Sequence, residues 1–141
     1  MGGPFNKLFF LVEIFGDEVV PDSVSDVLGR PADLSYRKGQ ERPRGSQYYN
    51  TGAWILKSQE IILTEESFGV EAFESWVSDL PDISRDWKSL VERFEVRVRL
   101  VGYTDQMNAE FRVSPRAMAG LLDRGLRLVV AERVNLFRTV F

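Results

Sequence analysis

The stretch FEVRVRLV, residues 94–101, decides the fold class of this chain. Its apolar residues occupy every second position, and Glu95, Arg97 and Arg99 stand between them. Because successive side chains of a β-strand point to opposite faces, this alternation predicts a strand with one buried face and one face in water. The stretch therefore favours a mostly antiparallel sheet that is covered on one side.

Residues 7–15 are predicted to form a second strand, which is apolar on both of its faces. Phe9, Leu11 and Phe15 share one of these faces. If helices cover the other side of the sheet, these three residues need a different cover: the loop 39–51 folded back, a second copy of the chain in a homodimer, or a foreign partner. Phe9, Leu11 and Phe15 are therefore a possible sheet-face interface.

Apolar residues recur three or four positions apart in four stretches, which predicts four helices. Pro81 separates the second stretch from the third. The apolar stripe of the third is predicted to include Ile83, and that of the fourth Met118, Leu121 and Leu122. The predicted helix starts are Pro21, Ser67, Asp82 and Pro115. Further extended segments are predicted at residues 34–38, 53–57, 61–63, 111–113 and 126–137.

The chain contains two stretches of similar sequence, which indicates an internal repeat. Gly16 and Gly102 each follow a matching apolar run, and Pro21 and Pro115 each open a matching helix. Two βαβ-like pseudo-repeats within one domain predict a ferredoxin-like α+β fold, a mostly antiparallel sheet with helices packed on one face. The predicted halves are residues 6–58 and 94–137 of a single domain 1–141, joined by a helical segment 67–93.

An ordered set of glycine, proline and tryptophan positions, with an acidic helical stretch and a final helix, runs through the chain. This order resembles the bacterial domain of unknown function 4279 family over roughly residues 9–136. The resemblance implies the fold and a bacterial cytoplasmic origin, and it supplies no catalytic residues. The positions that carry it are Gly16, Pro21, Leu28, Gly29, Pro31, Lys38, Gly39, Trp54 and Gly125.

Composition excludes several classes of chemistry. The 141 residues include no Cys and no His, so thiol nucleophiles, histidine acid/base catalysis and Cys/His zinc sites are excluded. We expect a protein that is not an enzyme and needs no cofactor. The longest apolar run, residues 8–12, is far shorter than the roughly 18 residues of a membrane helix, and no secretory signal is recognisable, which predicts a cytoplasmic protein. A net charge of −3 argues against general affinity for nucleic acid or for membranes.

An acidic strip spans residues 60–82, with seven acidic residues and no basic one. The strip is predicted to be either a solvated helix face or a surface that docks a basic protein partner. The docking hypothesis makes the chain a protein-binding module, of which an immunity or antitoxin-like protein is one form. Its partner-binding residues are Glu65, Glu66, Glu71, Glu74 and Asp79.

A basic and aromatic loop at residues 37–54 supports a first alternative, a small-ligand or single-stranded nucleic-acid binder. Basic groups can hold phosphate while aromatic rings stack on bases. A solvated loop with Trp54 anchored in the core explains the same composition. A second alternative, a carboxylate-based enzyme, would need a deep pocket with converging acids; Asp17 and Glu18 follow the first strand. The ligand-binding residues of the loop are Arg37, Lys38, Arg42, Arg44, Tyr48 and Tyr49.

Overall fold

The computed structural model describes residues 2–45, 47–64, 68–106 and 108–134, with Val134 through its backbone alone. These residues form a mostly antiparallel sheet with four helices, so the predicted α+β class is confirmed. The elements in chain order are β1 (Lys7–Gly16), α1 (Pro21–Leu28), β2 (Leu34–Tyr36), β3 (Gly52–Lys57), β4 (Ile61–Ile62), α2 (Val70–Ser78), α3 (Trp87–Arg93), β5 (Glu95–Thr104), α4 (Pro115–Asp123) and β6 (Arg127–Val134).

The sheet has the strand order β2-β3-β1-β5-β6, and the short β4 also pairs with β1. β1 lies in the middle and is antiparallel to β3, β4 and β5, whereas β5 and β6 run parallel. The two strands that α1 joins, β1 and β2, run in the same direction, and so do β5 and β6, which α4 joins. β3 lies between β1 and β2, whereas β5 and β6 are direct neighbours.

The loops that follow β1 and β2 meet at one end of the sheet, because these two strands run in the same direction. The Nζ of Lys38, after β2, lies 2.9 Å from Oδ2 of Asp17, after β1. The segment after β5 lies at the opposite end, where Nε2 of Gln106 donates to the carbonyl of Pro4 at 3.3 Å.

The helices described by the structure all contribute to one hydrophobic core on a single side of the sheet. Phe10 of β1 packs edge-on against Phe73 of α2, with ring centroids 4.9 Å apart. Trp54 of β3 is fully buried, and its Nε1 donates to Oγ of Ser25 in α1 at 3.0 Å. The predicted anchoring of Trp54 in the core is therefore confirmed. Burial of each such side chain stabilises the fold by about 1.5–3 kcal/mol.

Local chemistry sets the helix ends. Pro21 occupies the first turn of α1, and Gly29 ends this helix with a φ of +75°, a backbone conformation that favours glycine. Ser114 caps α4 by accepting a hydrogen bond from the Ala117 N–H at 3.1 Å. None of the helices in the described part of the chain has the length and hydrophobicity needed to cross a lipid bilayer.

Several predicted details are wrong. Residues 111–113 form no strand, although Phe111 packs against Phe73 in the core. The third helix begins at Trp87 instead of Asp82, because residues 82–86 form turns and Asp86 provides the cap. The predicted helical segment 67–93 is therefore two helices and a connection, and its residue 67, like residues 135–137 of the last predicted strand, lies outside the described residues.

Three predicted core residues are exposed. Ile83 precedes the helix it was expected to join, and Met118 and Leu122 lie on the outer side of α4. Periodicity alone could not choose between two adjacent apolar stripes on this short helix. The stripe that packs inward contains Ala117 and Leu121.

Pro81 separates two helices and supplies a shared hydrogen-bond acceptor. Its carbonyl accepts from Nε1 of Trp87 at 3.1 Å and from Nε of the buried Arg124 at 3.0 Å. Arg124 also donates from Nη1 to the carbonyl of Gly120 at 2.8 Å. Burial of the guanidinium lowers the pKa of Arg124. Arg124 thus joins the connection between α2 and α3 to the end of α4.

Replacing Arg124 by methionine should destabilise the fold. The Arg124→Met variant keeps much of the side-chain volume but removes the hydrogen bonds that the guanidinium donates to the carbonyls of Pro81 and Gly120, which should lower the free energy of unfolding by about 1–3 kcal/mol. Urea denaturation followed by tryptophan fluorescence measures this loss. Arg116→Met, on the exposed side of the same helix, is the control and should change stability by less than about 0.5 kcal/mol. Equal stability of the two variants would contradict the role of Arg124 in joining these segments.

Candidate functional site

The side of the sheet opposite to the helices is termed the open face. It is built by alternate residues of five strands, as the registers of the strand pairs require. Phe9, Leu11 and Phe15 lie on it and are half-buried. Its residues are Leu34 and Tyr36 of β2, Ala53, Ile55 and Lys57 of β3, Lys7, Phe9, Leu11, Glu13 and Phe15 of β1, Glu95, Arg97, Arg99, Val101 and Tyr103 of β5, and Arg127, Val129, Ala131 and Arg133 of β6.

A buried carboxylate occupies the centre of the open face. Oε1 of Glu13 accepts a hydrogen bond from Nε of Arg97 at 2.8 Å and lies 2.9 Å from Nε of Arg99. The Arg99 N–H is poorly aligned, so this second contact is an ion pair without a hydrogen bond. The Glu13 side chain is 9% exposed, against 21% and 26% for the two arginines. Glu13 therefore holds both guanidinium groups near the middle of the sheet.

Basic side chains lie over the aromatic rings of the open face. Nζ of Lys57 is 4.7 Å from the ring centroid of Phe9, and the Arg97 guanidinium is 5.5 Å from that of Phe15. Nζ of Lys7 lies 4.7 Å from the Tyr103 ring centroid. These cation–π contacts, together with the hydrocarbon stems of the basic side chains, partly cover the aromatic floor.

Residues 37–51, the part of the basic and aromatic loop that precedes β3, add a second aromatic group to the edge of the open face. The loop forms a small hairpin, in which the N–H of Tyr49 donates to the carbonyl of Gln40 at 2.9 Å. The ring of Tyr49 stacks on that of Tyr36, with centroids 3.6 Å apart and an interplanar angle of 9°. The Arg42 guanidinium lies 5.3 Å from the Tyr49 centroid. Burial and the nearby Tyr49 raise the pKa of Tyr36.

The predicted ligand-binding residues of this loop thus separate into two groups. Arg42 and Tyr49 join the open face, whereas Arg37, Arg44 and Tyr48 are exposed and Lys38 pairs with Asp17. Residues 37–45 are exposed, and the loop contacts the open face at its β2 margin through Tyr49.

Charge is unevenly distributed over the molecule. Among the described residues, the open face carries six basic side chains, Lys7, Lys57, Arg97, Arg99, Arg127 and Arg133, and two acidic ones, Glu13 and Glu95. The whole chain has 18 basic and 21 acidic residues, which leaves 12 basic and 19 acidic residues elsewhere. The open face is therefore strongly positive on a protein whose net charge is −3.

The acidic strip is described in part. Glu65 and Glu66 lie outside the described residues. Glu71 and Asp79 are exposed at the two ends of α2. Glu74 is half-buried, and its Oε1 accepts a hydrogen bond from Oγ of Ser114 at 3.2 Å, so this carboxylate faces α4. Partner binding by this strip stays a prediction.

The acids after β1 are engaged in local structure. Hydrogen bonds from the side chains of Lys38 and Thr51 lower the pKa of Asp17. Glu18 lines a cavity of about 60 Å³ between α1 and α3, together with Val24 and Arg93. In the described part of the chain, no group of three or more acidic side chains is placed to hold a metal ion.

The sequence was also compared with known families and structures. Residues 7–135 match the family described as domain of unknown function (DUF4279). The chain belongs to the DUF4279 family. This match includes every strand that builds the open face, and it confirms the resemblance found in the sequence. No solved structure matches the DUF4279 chain.

The central cluster of this DUF4279 protein provides a test of the open face. Glu13→Gln removes the carboxylate charge between Arg97 and Arg99 with little change of shape. The free energy of unfolding should fall by about 1–3 kcal/mol, because Arg99 loses its counter-charge and Arg97 is left with the more exposed Glu95, 3.6 Å away. Urea denaturation measures the change. Glu95→Gln, whose side chain is 54% exposed, is the control and should cost less than about 0.5 kcal/mol. A loss at Glu13 no larger than at Glu95 would contradict the central role of Glu13.

Proposed function

We propose that this protein is a non-enzymatic binding module and that the open face, with Arg42 and Tyr49 at its margin, recognises an anionic partner. The observation that carries this proposal is the excess of positive charge on the open face of an acidic protein. Complementary charge raises the rate of association and orients the partner. The half-buried rings of Phe9 and Phe15 add contact area beside the charges.

A ferredoxin-like description of the fold is part of the proposal. The order β2-β3-β1-β5, with α1 joining β1 to β2, supports it, and α4 and β6 extend the sheet at one edge. An internal repeat is supported by Gly16 and Gly102, each of which lies against an aromatic ring, of Phe94 and Phe5 respectively. A Cβ added to Gly102 would lie 2.5 Å from the Phe5 ring.

An immunity or antitoxin-like protein that docks a basic partner through the acidic strip is a second candidate. Glu71 and Asp79 support it, because both are exposed and neither forms an ion pair with another described residue. Such a partner would bind on the helical side of the molecule, opposite to the open face. The two candidates therefore differ in the sign of the partner's charge and in the side that it contacts.

The proposed setting is the bacterial cytoplasm, as the family resemblance implied. Binding through charge and aromatic contact requires no cofactor. The carboxylate-enzyme alternative would require a second acid in the cavity beside Glu18, where Ser23 and Arg93 are the other polar lining groups of the described chain.

Heparin chromatography, with a sulfated polysaccharide as a generic polyanion, tests the proposal. The wild-type protein should be retained at low salt in spite of its negative net charge, because the open face presents its charges together. A triple variant with Lys57→Glu, Arg127→Glu and Arg133→Glu should pass through the column.

The matched control reverses three charges away from the open face. Arg30→Glu, Lys88→Glu and Arg116→Glu change the net charge by the same amount and should leave retention close to that of the wild-type protein. Passage of the wild-type protein through the column, or equal loss of retention in both triple variants, would contradict the proposal. Retention on polylysine that is lost on charge reversal at Glu71 and Asp79 would favour the acidic strip instead.

A further inference from the structure

The open face combines charges and rings in pairs. Four cation–π contacts lie on it or at its margin: Lys57 over Phe9, Arg97 over Phe15, Lys7 over Tyr103 and Arg42 over Tyr49. Each of these four rings therefore has a cation within about 6 Å of its centroid, the distance at which cation–π attraction operates. An anionic partner that fits this surface can use both components of each pair.

The chemistry of these pairs distinguishes between classes of anionic partner. An acidic polypeptide supplies carboxylates for the cations, but its side chains offer nothing specific to a row of rings. A single-stranded nucleic acid supplies a phosphate and a planar base in every residue. Base stacking on aromatic side chains and pairing of phosphates with arginine and lysine are the two contacts that sequence-tolerant single-strand binding uses. Sheets with exposed rings bind single-stranded RNA in this way.

The spacing of the rings fits several nucleotides. Tyr36, Ala53 and Phe15 are register partners across β2, β3 and β1, so Tyr36 and Phe15 are two strand spacings apart, about 10 Å. Phe9 lies six residues from Phe15 along β1, which corresponds to about 20 Å. Ala53 between Tyr36 and Phe15 is fully buried, so neighbouring atoms cover it and the two rings are the aromatic contacts of this row.

The Tyr36–Tyr49 pair is a preformed stack. Its rings are nearly parallel and in contact, and Arg42 lies beside them. The hairpin hydrogen bonds that link Tyr49 to Gln40 and Arg42 to Gln47, the latter at 2.9 Å, hold this arrangement without a ligand. When a base adds to the stack, the protein loses little conformational entropy, because its side of the contact is already ordered.

We propose that the anionic partner is a single-stranded nucleic acid, which stacks bases on the Tyr36–Tyr49 pair and on Phe9 while its phosphates contact Arg42, Arg97 and Lys57. This inference rests on the proposed function and specifies the partner of the same surface. Single-stranded RNA and single-stranded DNA share the chemistry, and the experiment below measures both.

Fluorescence anisotropy tests the inference with labelled oligouridylate and oligothymidylate of about twelve nucleotides, within the site sizes known for single-strand binding folds. Both oligonucleotides should bind, and the logarithm of the affinity should fall with the logarithm of the salt concentration with a slope of about −2 to −3, as expected for three or four phosphate contacts. A duplex of the same length should bind more weakly, because its bases are not available for stacking.

The hairpin provides matched variants for the stacking contact. Tyr49→Leu keeps an apolar side chain but removes the ring, and it should weaken binding of both oligonucleotides by about 5- to 100-fold. Tyr48→Leu changes the neighbouring tyrosine, which is 60% exposed, and should leave the affinity unchanged. In the same way, Arg42→Gln should weaken binding more than Arg44→Gln, although both remove one positive charge from the same hairpin. Circular dichroism confirms that each variant is folded.

Labelled polyglutamate separates failure of this inference from failure of the proposed function. If polyglutamate binds as tightly as the oligonucleotides, and Tyr49→Leu weakens neither, the partner is recognised by charge alone; the nucleic-acid inference is then wrong while the proposed function stands. Equal effects of Tyr49→Leu and Tyr48→Leu, or duplex binding as tight as single-strand binding, would overturn the inference in the same way. If neither polymer binds and heparin does not retain the protein, both proposals are wrong.

Discussion

The described helices pack on one side of the sheet, and this constraint determines the character of the other side. β1 is central and apolar on both faces, so its second face cannot be left uncovered without exposing an aromatic surface to water. The chain meets this demand with long basic side chains from the neighbouring strands, whose hydrocarbon stems and charged ends cover the rings. Glu13 makes this arrangement possible, because it supplies the counter-charge for Arg97 and Arg99 near the centre of the sheet.

Charges on an open sheet also oppose association between copies of the protein. A flat apolar sheet surface with free edges invites association with other copies, and inward-pointing or edge charges oppose it. The basic residues of β6, Arg127 and Arg133, lie on an edge strand, and Arg127 pairs with Glu95 at 3.0 Å. Cations that oppose self-association also form a positive field, and such a field attracts anionic molecules. One set of residues can therefore serve both solubility and recognition.

The sequence predicted what depends on local periodicity and missed what depends on register. The alternation in residues 94–101 correctly predicted a strand with Arg97 and Arg99 on the less covered face. Their counter-ion, Glu13, comes from a strand 84 residues away from Arg97, and no local pattern pairs the two. The assignment of Met118 to the core was wrong for a similar reason, since tertiary contacts selected the neighbouring stripe of α4.

The candidate site likewise combines features that the sequence predicted with features that depend on tertiary structure. Composition pointed to the 37–54 loop as basic and aromatic, but it could not separate Tyr49, which stacks on Tyr36, from the adjacent Tyr48, which is exposed. That distinction depends on the hairpin formed within the loop and on the pairing of β2 with β3. The positive charge of the open face could not be predicted for the same reason, because its basic residues come from four separate strands of an acidic chain.

The basic residues of the open face differ in how freely they can respond to a ligand. Arg97 and Arg99 are held by Glu13, so they act as fixed charges whose position is set before binding. Lys57 is held over Phe9 by a cation–π contact, and such contacts at exposed sites contribute only about 0.5–1 kcal/mol. Its ammonium group can therefore move to a phosphate at small cost and leave the ring free for a base. A surface with fixed charges at its centre and displaceable charges around them can orient a chain first and then admit its bases.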